Sequence, residues 1–377
     1  EKEGDLIDAL RGGTKAMRAR GTAYLPQEPK ETNRAFGVRL KRSFLYPGLS
    51  TTLKNLSAKP FERPIVVNDS DKRLDELIPN IDMAGRTLTQ FSTDVFKDAM
   101  AHGLSHILVE MPQRTEDTPQ SIKGQKEQGF RPYLCHVKSN QLINWTTENI
   151  GGQTVLTSVT ISVATWVNDN LGQKVEEQIR VITRNEVLIY DVQSTGGMTK
   201  AVLKGKSEHT MGIVPLFTVY TNRTGFLTAE PPLNELAWTN LAHWQSNSDQ
   251  RNILRIARVP FLLATGFNGD AKIDPTTGQP GESEIDAIGA VGPNSLITST
   301  NPDADIRWVE HQGNGIEAGE RDLEQLKEEM FMQGAQFLMP KKSKQTAAEY
   351  QGTKADGESV LQKSATDLEG TRTSALA

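Results

Sequence analysis

Few residue patterns in this 377-residue chain could do covalent or metal chemistry, and each fails on its spacing or its local setting. His102, His106 and Glu110 are spaced as helical metal ligands are. Gly103 and the Ile107-Leu108-Val109 run, however, predict a helix-to-strand junction, where that spacing no longer brings side chains together. Lys204-Gly205-Lys206-Ser207 ends like a phosphate-binding loop, yet the first glycine of that motif would fall on Lys200. The segment also reads as closing a hairpin and not as opening a helix. Cys135 has no recognisable activating neighbours, no Gly-x-Ser-x-Gly elbow is present, and the histidines are scattered singly. The chain is read as a non-enzyme, without cofactor or metal.

Two charged patterns remain. Pro340-Lys341-Lys342-Ser343-Lys344 is a lysine-dense loop between helical segments, which taken alone is a solvated turn. Upstream, Glu317, Glu320, Glu324 and Glu328 share one helix face. Residues 316–330 hold six acids against Arg321 and Lys327, whereas residues 1–60 hold twelve Lys/Arg against six Asp/Glu. Such segregation is ordinarily a solvated face. In a ring of identical subunits each charge would repeat, giving a basic collar from Lys341, Lys342 and Lys344 and an acidic sleeve from the glutamates.

Composition narrows the class. Net charge of −5 argues against tight wrapping of nucleic acid, and 6% aromatics disfavour a base-stacking platform. Hydrophobic content of 36% with mean hydropathy −0.47 predicts an elongated chain, or one that buries apolar surface against other subunits. A single cysteine gives no internal disulfide framework and fits a reducing compartment. No apolar run approaches the roughly 18 residues of a membrane helix.

The elements that must position these charges can be read from periodicity. Residues 5–20 form a short basic helix; 33–58 are helical with an interruption at Pro47-Gly48; Asp82 precedes a helix over about 84–102. Leu88, Phe91, Val95 and Phe96 lie on one face of that helix, and a buried-type strand follows Gly103. Residues 155–167, 177–183 and 186–192 alternate as strands of a mostly antiparallel meander, with 213–220 as its last strand. After Pro231-Pro232 a helix of about 25 residues carries Leu236, Leu241 and Trp244. Residues 261–312 are rich in Gly and Pro, with short strands near 261–264 and 305–309. A second helix over 315–338 carries Leu323, Leu326 and Met330, and a third starts at the capping-type Thr346-Ala347-Ala348-Glu349. The class is α+β.

The ordered series of these segments resembles tailed-bacteriophage portal proteins over nearly the whole chain. The residues that carry it are Tyr24-Leu25-Pro26, Ile81 through Leu88, Gly103 through Met111-Pro112, and Pro231 through Ala237 with Asn240 and His243. Val259-Pro260 and Leu323-Glu324-Gln325-Leu326 with Met330, Gly334 and Ala335 complete it, followed by Thr346-Ala347-x-Glu349. The resemblance implies a wing (1–230), stem helices (231–260 and 313–338), a clip between them (261–312), a tunnel loop (339–345) and a long wing helix (346–377) leading to a crown. It also implies a head-tail connector in the virion, assembled in the host cytoplasm, with closed symmetry and about twelve copies. Its expected partners are double-stranded DNA, a terminase packaging motor, a head-to-tail adaptor and the major capsid protein. Leu236, Leu241, Trp244, Leu323, Leu326 and Met330 would pack the stem, and the three lysines would face the channel. No membrane is implied.

Simple geometry agrees with a conduit. About twelve helices of roughly 10 Å diameter place their axes on a circle of roughly 38 Å, leaving a bore under about 30 Å. Such a sleeve reads no sequence, because base discrimination needs groove contacts. A head-to-tail adaptor, or another virion ring without a translocation role, is the alternative. The long stem helices and the basic loop between helices argue against it. A hydrolase domain is weakened by the missing nucleophile motif.

Overall fold

The computed structural model describes residues 2–68, 72–112, 121–169, 172–195, 198–258, 261–266, 301–309, 314–338 and 359–377. The chain divides into two compact units, one from 1–20, 45–242 and 327–377, the other from 21–44 and 243–326.

The chain begins with α1 (Lys2–Arg11) and α2 (Gly13–Ala19), then α3 (Asn33–Arg42), α4 (Gly48–Ala58), α5 (Lys72–Leu77) and α6 (Leu88–His102). The expected single helix over 5–20 is therefore two, broken where Gly13 takes φ +73°. The interruption at Pro47-Gly48 is real: Ser43–Pro47 is non-helical and separates α3 from α4.

α6 starts later than its apolar pattern suggested. The Thr87 hydroxyl accepts a bond from Gln90 N while the Gln90 side-chain oxygen accepts one from Thr87 N, a capping box that fixes the start at Leu88. Asp82 closes the turn before it, accepting from Ala84 N (2.9 Å), Arg86 N (3.1 Å) and the Arg86 guanidinium. Burial alone would raise the Asp82 pKa; these donors hold it below the usual carboxylate range. Gly103 ends α6 at φ +88°, and a Cβ there would run into the backbone of Glu230. Only glycine satisfies both demands.

Next come β1 (Leu104–Glu110), α7 (Ile122–Glu127) and β2 (Tyr133–Val137). A five-stranded antiparallel meander follows in sequence order: β3 (Leu142–Ile150), β4 (Gln153–Asp169), β5 (Gly172–Thr183), β6 (Glu186–Thr195) and β7 (Met198–Glu208). Lys204–Ser207 lies inside β7, with Gly205 opposite Ile189 and Lys206 opposite Leu188. It is strand and not hairpin, which removes the phosphate-loop reading on geometry as well as on spacing.

The remaining elements are β8 (Leu216–Tyr220), β9 (Arg223–Gly225), β10 (Thr228–Ala229), α8 (Asn234–Ala257), β11 (Phe261–Thr265), β12 (Asp305–Val309), α9 (Asn314–Gln336) and α10 (Val360–Leu376). β8 is not the last strand of the meander. It pairs antiparallel with β1, which also pairs with β2, giving a separate sheet ordered β2-β1-β8. Leu104 to Leu108 are buried without alternation, so this sheet is covered on both faces. α6 and α10 pack on it, and Thr371 of α10 donates to Thr218 O. Val159, Ile161 and Ile182 of the meander share a core with Leu108, Val137 and Leu216.

The two short strands expected at the ends of the 261–312 insert exist and pair antiparallel, Phe261 opposite Val309. The expected helix start at Thr346 lies outside the described residues. α10 is capped instead by Ser359, whose side chain accepts from Gln362 N.

Candidate functional site

The pair α8 and α9, expected as a stem, is the part of the chain that the sequence marked out. Its helices are 24 and 23 residues long, about 36 Å each at 1.5 Å per residue. Three contacts give their direction: Thr239 with Gln333 (3.0 Å), Ser246 with Asp322 (2.6 Å) and Gln250 with the Ile316 carbonyl (2.8 Å). As one number rises the other falls, so the helices run antiparallel. Close approach depends on Gly319, because a Cβ there would overlap the amide of Gln250.

Of the residues expected to pack the stem, Leu236, Leu241, Trp244 and Met330 are buried, while Leu323 and Leu326 are half-buried in the single chain. Met330 packs over Gly48 at the start of α4, where a Cβ would meet its sulfur at 2.5 Å. Pro47 precedes α4 and cannot cap it. Asn240 of α8 does so from outside, accepting from Leu49 N (2.9 Å) and donating to Tyr46 O (2.9 Å). Sequence reading missed this role, although Asn240 was among the residues carrying the family resemblance.

Glu317, Glu320, Glu324 and Glu328 are all exposed along α9, with Arg321 3.5 Å from Glu317. The packed residues Gly319, Leu323, Leu326 and Met330 share the other side of the helix. Lys341, Lys342 and Lys344 lie outside the described residues.

Elsewhere, one buried ionic cluster is absent from any sequence motif. Asp98 of α6, 3% exposed at its side chain, lies 3.4 Å from Arg11 and 3.3 Å from His102 Nδ1. The other ring nitrogen of His102 faces Asp8 at 3.2 Å. Burial works against ionising both partners, yet their mutual contacts win: Asp98 is held well below the carboxylate range and His102 is raised to about 9. The imidazolium is thus engaged on both nitrogens and serves as a structural cation tying α1 to α6. A polar cavity of ≈ 440 Å³ opens beside it, with Lys97, Lys138 and Asn140 on its wall.

His106 is not near His102 in function. It sits in β1, bonded through Nδ1 to Thr218 at 2.9 Å, and burial lowers it to about 4. The junction at Gly103 has separated the two side chains, as the sequence implied. Among the described residues no group of three or more His, Cys, Asp and Glu is arranged to hold a metal. Burial and the neighbouring Glu110 push the Cys135 thiol up, the reverse of an activated nucleophile. No described helix is long and apolar enough to cross a membrane.

Residues 232–377 match the model of a family described as a domain of unknown function, DUF4055. No curated protein sequence matches the chain. Among solved structures, one similar chain belongs to the neck of an empty GTA particle computed with C6 symmetry. It is 12% identical with a TM-score of 0.44, over 88% of this chain and 77% of that one. Another belongs to the virion of a native gene transfer agent particle. It is 12% identical with a TM-score of 0.40, over 94% of this chain and 87% of that one.

Proposed function

We propose that the chain is a structural virion protein of tailed-phage type, and within that class a portal subunit. Many copies stand around a hollow axis and form the conduit through which double-stranded DNA enters and leaves the head. The observation that carries this reading is the plan of the C-terminal half. A 24-residue helix leads to an insert whose ends pair as β11 and β12, and a 23-residue helix returns antiparallel beside the first. α10 then packs on the sheet that follows α6. That order, helix, insert, helix and then a further helix on the sheet, is what the family resemblance implies for stem, clip and wing helix.

The chain is a non-enzyme in this account, and a separate ATPase motor supplies the work. The motor and the head-to-tail adaptor dock at the clip, the major capsid protein at the wing, and the lysine loop faces passing DNA. Electron micrographs and a native mass of the purified protein test the reading. Closed rings with a bore wide enough for a duplex are expected. A monomer, or a particle solid at its centre, would remove it.

A further inference from the structure

Within the unit formed by 21–44 and 243–326, α8 is the middle layer of three. One side of it carries Ser246 and Gln250, which bond to Asp322 and the Ile316 carbonyl of α9. The other side carries Asn247 and Ser248, bonded to Phe44 O (2.9 Å) and Ser43 (2.8 Å). Arg251 belongs to that side too, over the Phe44 ring at 5.1 Å, while Asp249, turned away from it, reaches Arg39 at 3.3 Å. At about 100° per residue Asn247, Ser248 and Arg251 centre roughly 130° around the α8 axis from Ser246 and Gln250. α9 and the end of α3 with the Ser43–Phe44 segment therefore lie against different sides of α8.

Each flanking helix turns a charged face outward. In α3 the packed side holds Arg39, buried and bonded to Glu31 at 2.8 Å, while Arg34, Lys41 and Arg42 are exposed. None of those three has an ion-pair partner among the described residues. In α9 the packed side holds Gly319 and Leu323, while Glu317, Glu320 and Glu324 are exposed. Three cations on α3 and three carboxylates on α9, the latter with Arg321 beside Glu317, thus stand on separate outer faces of one unit. A head-to-tail contact joins two different patches of the same chain, and it closes into a ring where the rotation between copies closes.

We infer that the α3 face of one protomer (Arg34, Lys41, Arg42) docks on the α9 face of the next (Glu317, Glu320, Glu324). The inference rests on the ring reading above and places the acidic stripe between neighbours instead of on the bore. Exposed ion pairs contribute little energy each, so their role is to select orientation and register while buried apolar surface elsewhere supplies affinity.

Charge reversal tests it on the full chain. The triple variant Arg34→Glu, Lys41→Glu, Arg42→Glu and the triple variant Glu317→Lys, Glu320→Lys, Glu324→Lys should both fold, as read by circular dichroism. Each alone should lose ring formation by about tenfold or more at equal concentration, because like charges then face each other. Mixed together the two variants should co-assemble into rings of alternating copies, and a chain carrying both triples should form rings alone. Rings at the parental yield from either triple variant, or no recovery on mixing, would overturn the contact while leaving the ring reading intact. Loss of DNA association with normal rings in the α3 variant would overturn it in favour of a nucleic-acid face. A parental chain that never forms rings would sink the ring reading itself, and the contact with it.

Discussion

His102 shows how a single residue can govern whether the first helix stays docked. It lies between Asp8 of α1 and Asp98 of α6, with Arg11, Lys97 and Lys138 the cations nearby. Its folded pKa of about 9 exceeds the ordinary histidine value. Its contribution is therefore complete below about pH 6.5 and is lost as pH rises through about 9, with a ceiling of roughly 3 kcal/mol. Thermal melts of the parent and of His102→Gln should differ most near pH 6, less as pH rises, and converge near pH 10; a constant gap would show that His102 is not the titrating group. The Asp98–His102 half of this cluster was legible as an i,i+4 pair, but the search for metal ligands matched His102 with His106 instead. Asp8 was not legible, being 94 residues away in sequence. Asn240 makes a second case at this scale. Asn240→Ala should cost about 1–2 kcal/mol by leaving Leu49 N and Tyr46 O unpaired. Asn240→Asp should not rescue it, because a carboxylate oxygen would then face the Tyr46 carbonyl. A denaturation midpoint unchanged in either variant would remove the capping role.

At the level of elements, what the sequence disclosed was local and what it withheld was pairing. The long helices, the period-2 strands and even the short strands bounding the insert follow from patterns within a dozen residues. Which sheet β8 joins does not, since its partner β1 lies more than a hundred residues upstream. Lys204–Ser207 misled for the same reason: its charges and glycine resemble a turn, and only pairing with β6 makes it strand. The start of α6 needed knowledge that Asp82 spends its side chain on the preceding turn. Helix contacts carry a testable consequence here. Gly370 of α10 has open space around it, whereas a Cβ at Gly334 of α9 would meet the Thr52 methyl at 2.7 Å. Gly370→Ala should stabilise by about 0.5–1 kcal/mol through helix propensity. Gly334→Ala should gain nothing or destabilise, and Thr52→Ser, which removes the methyl, should recover part of the difference. Equal melting shifts for the two alanine variants would show that α4 and α9 do not approach this closely.

For the whole molecule, the lysines of 341–344 decide between the proposed conduit and the alternative of a structural ring without one. Lys341, Lys342 and Lys344 follow the helix that returns from the insert, so repetition about an axis would gather them into one belt of positive charge. Such a belt holds phosphates by exchangeable contacts without reading sequence, and its effect on DNA depends on salt. Reversing all three to glutamate converts attraction to repulsion at the place where a packaged genome would be held. Ring assembly should be unaffected, because the contact inferred to join copies lies on α3 and α9. Heads built with the variant should therefore contain rings in normal number but retain less DNA, with the deficit growing as ionic strength falls and repulsion is less screened. Genome content equal to the parent at low salt would mean that the loop does not meet DNA, and would leave a ring without a translocation role as the better account of this protein.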